Sequence, residues 1–299
     1  VSSFLSKLAP LVITLRGSKR MFRSEKRTLA RVAHLQQHPD SFEPPASLSR
    51  SHTVTRSDVG GWPVYTVTAR SGPTSPARRA LYLHGGCYVF EIDPIHWTLI
   101  GKLATEAGVT VVVPIMPLAP TGIASVVVPA VADLAASLIS EVGADNLSII
   151  GDSSGGGMTL AVAMTLRDRK LCPLHATILI APWLDISGTD PQLAVIDPRD
   201  PWLAVPGTHA AGLLYRAELP EDDWQVSPIH GSLAGLGPIT MFSGTRDILH
   251  ADASRFVPLA ARAGIALDYH VGEGMIHNYP ILPMPEGDAA RKVIVEVIR

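Results

Sequence analysis

Gly151-Asp152-Ser153-Ser154-Gly155 stands between an apolar run at 147–150 and a helical pattern over 156–169. A serine at such a strand-to-helix reversal is held exposed at the tip of a sharp turn, and glycines on both sides let the two backbones approach. The positive end of the following helix favours an oxyanion at the same spot, so the implied chemistry is nucleophilic attack on a carbonyl. Two glycines and a serine at this spacing arise by chance in about one chain in ten of this length, so the motif needs companions. A phosphate cradle is the competing use of these glycines. No Lys-Ser/Thr pair follows them, however, and no G-x-G-x-x-G comes after the first strand.

The companions are present. A second apolar run, 81–83, ends in His84-Gly85-Gly86-Cys87, and adjacent glycines free backbone N–H groups to converge on the oxygen of a tetrahedral intermediate. A serine nucleophile also needs a base, and the base needs a carboxylate to orient it. Of eleven histidines, His277 stands out because Gly272–His277 follows the last strand pattern, 267–271, and ligand-facing groups of parallel sheets sit at strand C-termini. Asp247 follows the preceding strand pattern, 239–242, through Gly244-Thr245-Arg246. Asp252 is the rival acid, but its place before the helical run 253–263 predicts a helix cap instead. Asp185 also follows a strand, one crossover too early.

Positioning such residues takes a sheet. Runs rich in Val, Ile, Leu and Tyr at 62–68, 80–83, 109–115, 147–150, 176–180, 239–242 and 267–271 read as strands. Helical patterns fall at 96–106, 125–141, 156–169, 252–263 and 287–298, and this alternation predicts a mostly parallel α/β sheet covered on both faces. Residues 186–225 interrupt it with prolines, acids and large apolar side chains, which predicts an insertion above the sheet. Residues 18–37 read as one helix, with Phe22, Leu29, Val32, Ala33 and Leu35 on one face. Its other face carries Arg16, Lys19, Arg20, Arg23, Lys26, Arg27 and Arg31 against Glu25. A solvated face is the favoured reading of that imbalance, with attraction to an anionic membrane surface as the alternative. Residues 39–51 read as a linker.

The chain of 299 residues has 46% apolar and 17% charged residues and a formal charge of −2. That composition fits a compact globule and excludes a disordered chain or one whose bulk charge recruits nucleic acid. Two cysteines, Cys87 and Cys172, make neither a disulfide framework nor a metal site and suit a reducing compartment. The apolar stretches carry prolines or acids and fall short of a membrane span, and residues 1–15 lack a cleavage site before Arg16. A cytoplasmic location follows as an expectation.

Taken together the motifs resemble the hormone-sensitive-lipase-like family of α/β-hydrolase serine esterases. That family has a His-Gly-Gly-Gly loop, a Gly-Asp-Ser-Ala-Gly turn, a Gly-x-x-Asp run and Gly-Met-x-His, in this order. The matching residues are His84–Cys87, Gly151–Gly155, Gly244–Asp247 and Gly274–His277. The resemblance covers nearly the whole chain and implies an eight-stranded, mainly parallel sheet with helices on both faces and a helical cap. It divides the chain into an N-terminal cap segment, 1–45, a catalytic domain, 46–185 with 226–299, and a cap insertion, 186–225. It implies a serine carboxylesterase in which Ser153 attacks, His277 shuttles the proton and Asp247 orients His277. The oxyanion donors would be the N–H groups of Gly86, Cys87 and Ser154 in a loop that includes Gly85, with no metal or organic cofactor. The partner it implies is a small-molecule ester, and the apolar residues of the cap point to a short to medium acyl chain.

Three departures stand out: Cys87 replaces a glycine, Ser154 replaces an alanine, and Met116-Pro117-Leu118-Ala119-Pro120 replaces Tyr-Arg-Leu-Ala-Pro, removing an arginine that would brace the oxyanion loop. Two other classes compete, a non-catalytic ligand receptor on the same fold and a membrane-associated lipid-binding protein led by the basic N-terminal helix. The receptor reading expects a missing triad member, and none is missing.

Overall fold

The computed structural model describes residues 3–72, 78–171 and 173–299; Cys172 lies outside them. Three helices come first, α1 (Phe4–Arg16), α2 (Ser18–Phe22) and α3 (Glu25–Gln37). A hairpin follows, β1 (His52–Val59) and β2 (Trp62–Ala69), and then strands and helices alternate: β3 (Arg79–Leu83), α4 (Pro94–Ala107), β4 (Thr110–Pro114), α5 (Ala124–Val142), β5 (Leu147–Asp152), α6 (Ser154–Asp168) and β6 (Ala176–Ile180). Two helices, α7 (Leu193–Ile196) and α8 (Val205–Arg216), occupy the insertion. The chain closes with β7 (Ile239–Gly244), α9 (His250–Arg262), β8 (Leu267–Gly272) and α10 (Pro285–Ile298).

The eight strands form one sheet in the order β1-β2-β4-β3-β5-β6-β7-β8. Both contacts of β2 are antiparallel, and every pair from β4 to β8 is parallel. The central strands β5 and β6 are buried along their whole length, as two-sided coverage requires. The loops after β3, β5, β7 and β8 therefore emerge along one edge of the sheet, and these are the four loops that carry the motifs.

Four expectations need correction. β1 was not foreseen: it lies at the sheet margin, exposed over most of its length, so no apolar alternation marks it. Its signal was the turn pair Gly60-Gly61, whose φ angles of +60° and +85° suit a two-residue hairpin. The single helix over 18–37 is two, because Ser24 leaves the helical conformation and its hydroxyl accepts from the Arg27 N–H to cap α3. Lys19 does not belong to a solvated face. It is buried, and its ammonium donates to the Asp197 carbonyl at 2.6 Å, to the Asp197 carboxylate and to the Leu203 carbonyl. Finally, α5 has the length and composition to cross a membrane, but Val127, Val128, Val131, Ala135 and Leu138 pack it into the protein core.

The N-terminal helices and the insertion pack on each other, α2 and α3 against α8. The approach is close enough to require glycine at one point, since a Cβ on Gly207 of α8 would lie 2.5 Å from the Phe22 backbone. Phe22 in turn meets the Phe90 ring edge-on at 6.0 Å.

Candidate active site

β5 ends at Asp152, α6 begins at Ser154, and Ser153 makes the reversal alone with φ +55° and ψ −123°. A side chain in that region costs about 1–3 kcal/mol, and the surroundings enforce it. The Ser153 N–H donates to the Ile180 carbonyl at 2.8 Å, and its carbonyl accepts from Gly156, Gly157 and Trp183. Gly155 has to be glycine, because a Cβ there would run into the Leu83 carbonyl of the adjacent strand.

Ser153 Oγ lies 3.1 Å from His277 Nε2, and His277 Nδ1 lies 2.8 Å from Asp247 Oδ2. The other carboxylate oxygen of Asp247 accepts from the Leu249 N–H at 2.9 Å. The two loops are fastened to each other where the Arg246 N–H donates to the Met275 carbonyl. All three side chains are buried. Burial alone would depress the imidazole pKa, but the Asp247 carboxylate and its hydrogen bond, helped by Asp200 and Asp152, outweigh it and raise His277 above the usual histidine value.

Within the expected oxyanion loop, the Gly85 N–H is committed to Asp152 Oδ1 at 3.1 Å. The N–H groups of Gly86, Cys87 and Ser154 meet no acceptor among the described residues. Two of the substitutions prove to be structural. Ser154 Oγ accepts from the Tyr88 N–H at 3.3 Å, tying the loop to the turn. The segment that lacks the arginine is tied to the loop by backbone, the Ala119 N–H donating to the Tyr88 carbonyl at 2.8 Å.

Cys87 has φ +53°, a region that suits glycine. Its side chain lines the cavity that also holds Ser153 and His277. Burial, with the charge of Asp247, pushes its thiol up to about 12, so it is a neutral wall and not the reactive thiolate that nearby helix dipoles would favour. Cys87→Gly relieves the left-handed backbone cost of about 1–2 kcal/mol and widens the cavity. It is expected to keep kcat/KM on a small acetyl ester and to raise it on an ester of a bulky alcohol. A collapse of acetyl turnover would show that the thiol has a further role.

Asp152 does more than occupy a motif position, and sequence reasoning missed its partners. It is fully buried and accepts from Tyr82 Oη at 2.6 Å, the Gly85 N–H at 3.1 Å, His96 Nε2 at 3.2 Å and Asn278 Nδ2 at 2.7 Å. Burial raises its pKa, but the His96 charge, the His96 and Tyr82 hydrogen bonds and the Gly85 N–H win and hold it at about 2. The stabilisation is therefore present above the ordinary aspartate value and is lost as pH falls through about 2. Asp152→Ala strands four buried donors and should destabilise the fold by about 3–5 kcal/mol, read as a lower urea midpoint. An unchanged midpoint would show that the network contributes nothing to stability. Only two local signals pointed here: Asn278 directly follows His277, and Asp93-Pro94 starts α4 with His96 in its first turn.

Asp252 is not the cap of its helix. α9 begins two residues earlier, and Asp252 Oδ2 accepts from the Leu184 and Asp185 N–H groups, both at 3.0 Å, bracing the chain after β6. It takes no part in the Ser153–His277 arrangement. Asp185 is held by Arg255 at 2.8 Å. The insertion supplies two neighbours that the sequence reading did not single out. Asp200 accepts from the Ile248 N–H at 2.9 Å beside Asp247, and burial with the Asp247 charge pushes its carboxyl up to about 6. Trp202 meets the His277 ring edge-on at 5.5 Å.

A serine on a strained strand-to-helix turn, with an acid and a histidine from later strand ends, defines a protein of the α/β-hydrolase type. A family model described as the alpha/beta hydrolase fold matches residues 80–281, and the chain belongs to that family, as its hormone-sensitive-lipase-like motifs implied. It is 30% identical over 232 residues to a triacylglycerol lipase of Mycobacterium tuberculosis, covering 77% of this chain and 48% of that protein. The chain thus spans about half the length of that relative. It is 28% identical to an acetyl-hydrolase of Streptomyces hygroscopicus over 74% of this chain and 75% of the relative. A solved variant of the esterase E40 superposes with a TM-score of 0.80 at 25% identity, covering 96% of this chain and 97% of that one.

Proposed function

We propose that this chain hydrolyses carboxylic esters through a covalent acyl-enzyme, with Ser153 as nucleophile, His277 as general base and then acid, and Asp247 as the group that orients it. The observation that carries the reading is the unbroken relay of 3.1 and 2.8 Å from Ser153 through His277 to Asp247. His277 takes the Ser153 proton as Oγ attacks, and the N–H groups of Gly86, Cys87 and Ser154 receive the oxyanion. The same imidazole then protonates the leaving alcohol, and water reverses the sequence to free the acid. Segments 1–45 and 186–225 act as the cap: Met21, Phe22, Trp202 and Leu203 line the cavity of about 540 Å³ that holds Ser153 and His277.

That cavity also takes in Gly86 and Cys87, so the acyl carbonyl, its oxyanion and the leaving alcohol all find room in it. A separate gap of about 10 Å³ between Tyr88, Phe90, Met158 and Tyr215 touches neither Ser153 nor His277 and is the size of one water molecule. In a p-nitrophenyl ester series, kcat/KM should peak among short to medium acyl chains, in keeping with the name of the acetyl-hydrolase relative. A peak at long chains would refute that range. The covalent step has its own test: a fluorophosphonate should add one adduct, located on Ser153 by peptide mass, and labelling elsewhere would refute the mechanism. An intact relay also argues against the receptor reading.

A further inference from the structure

The described residues include ten exposed large apolar side chains, and six of them belong to α1: Phe4, Leu5, Leu8, Leu11, Val12 and Leu15. Four of these, at 4, 8, 11 and 15, fall on one stripe of the helix, so they form a patch and not the ordinary scatter of a protein surface. The opposite face is already used. Ser6, Pro10 and Ile13 are buried, Ile13 lines the cavity that holds Ser153, and Ser3 and Ser6 bind Glu286 of α10. α1 is thus a roof over the catalytic cavity with a second apolar face turned outward.

A basic cleft of about 550 Å³ borders that face. It contains Arg20, Arg23, Arg199 and Arg246 and is bounded on the α1 side by Thr14. Thr14 and Lys7 are one heptad apart, along the same edge of the apolar stripe. None of the four arginines pairs with a carboxylate among the described residues. The two acids nearby are committed elsewhere: Asp197 holds Lys19, and Asp200 accepts from the backbone of Trp202, Leu203 and Ile248. An apolar helical stripe edged by unneutralised arginines matches the layered chemistry of an anionic bilayer surface, acyl chains beneath phosphodiester headgroups.

We propose that α1 and the arginine cleft dock this protein on a membrane rich in anionic phospholipid. The stripe enters the acyl boundary, Arg20, Arg23, Arg199 and Arg246 hold headgroup phosphates, and the roof of the catalytic cavity then faces the bilayer. The occupant follows from the pairing of apolar and cationic surfaces, which neither a neutral ligand nor a free anion would need.

The test is flotation of the full chain with vesicles of phosphatidylcholine alone and of phosphatidylcholine with phosphatidylglycerol in equal parts. Binding is expected on the anionic vesicles and should weaken with salt. Arg20→Gln with Arg23→Gln should weaken it by about thirtyfold. Leu11→Glu with Leu15→Glu should abolish it, while turnover of a soluble acetyl ester stays unchanged and reports an intact fold. Absent binding, or equal binding to neutral and anionic vesicles, overturns the proposal. So does salt-insensitive binding by the unaltered chain. Stabilisation by inorganic phosphate without vesicle binding would reduce the cleft to a free-anion site. Dimerisation of the unaltered chain that the Leu11 and Leu15 changes remove would assign the stripe to a second copy and likewise overturn it.

Discussion

Ser153→Ala should lower kcat on p-nitrophenyl acetate by about four to six orders of magnitude and leave the fold intact. The oxygen removed is the proposed nucleophile, and among the described residues no other serine or cysteine side chain bonds to His277. Ser154 Oγ is engaged with the oxyanion loop, and the Cys87 thiol is held neutral. His277→Ala should cost about as much, and the double variant little more than either, because members of such a relay act as a unit. Stability should not fall, since Ser153 sits in a strained conformation that alanine adopts no less easily. Substantial turnover by a folded Ser153→Ala protein would end the proposed mechanism.

Asp247→Asn should lower kcat by about three to four orders of magnitude. Asparagine can still accept from the Leu249 N–H, so the loop survives. However, it presents an amide to His277 Nδ1 and stabilises the wrong tautomer. Asp252→Asn is the control, because its carbonyl oxygen can go on accepting from Leu184 and Asp185 and turnover should change little. If Asp252→Asn is the more damaging change, the acid has been misassigned. The pH profile gives a second readout. The imidazole must be neutral to act, and its pKa is raised, so the acid limb of kcat/KM should have its midpoint above the ordinary histidine value and move down when Asp247 is neutralised. Stability runs the other way. The imidazolium–carboxylate attraction is fully present below the unfolded histidine pKa and is lost as pH rises through the raised one.

The candidate triad was legible in the sequence for a topological reason. In a parallel sheet each strand delivers its following loop to the same edge, so Gly151–Gly155, Asp247 and His277 could be placed by asking which strand each one follows. The features that stayed hidden depend on side chains meeting across the fold. Tyr82, His96 and Asn278 converge on Asp152 from sequence separations of 70, 56 and 126 residues, and no local pattern records that meeting. The same applies to Gly85, whose N–H looks free until Asp152 claims it. Asp252 reads as a cap because aspartate before a helix usually is one, whereas here the helix begins earlier and the carboxylate serves a different segment. β1 escaped because half-solvated polar strands lack the apolar alternation by which strands are recognised.

Lys19 bears on how substrate enters. Its buried ammonium joins α2, near one end of the chain, to Asp197 and Leu203 in the insertion, so the two halves of the roof share one charge. Parting them would break three contacts to one ammonium while letting water reach both charges, a cost of about 1.5–3 kcal/mol, with the lower end more apt because Asp197 is partly exposed. At equilibrium, roughly one molecule in ten to one in a hundred would then stand open along that seam. The roof is better pictured as a latched door than as a fixed porch, and Lys19 is its latch.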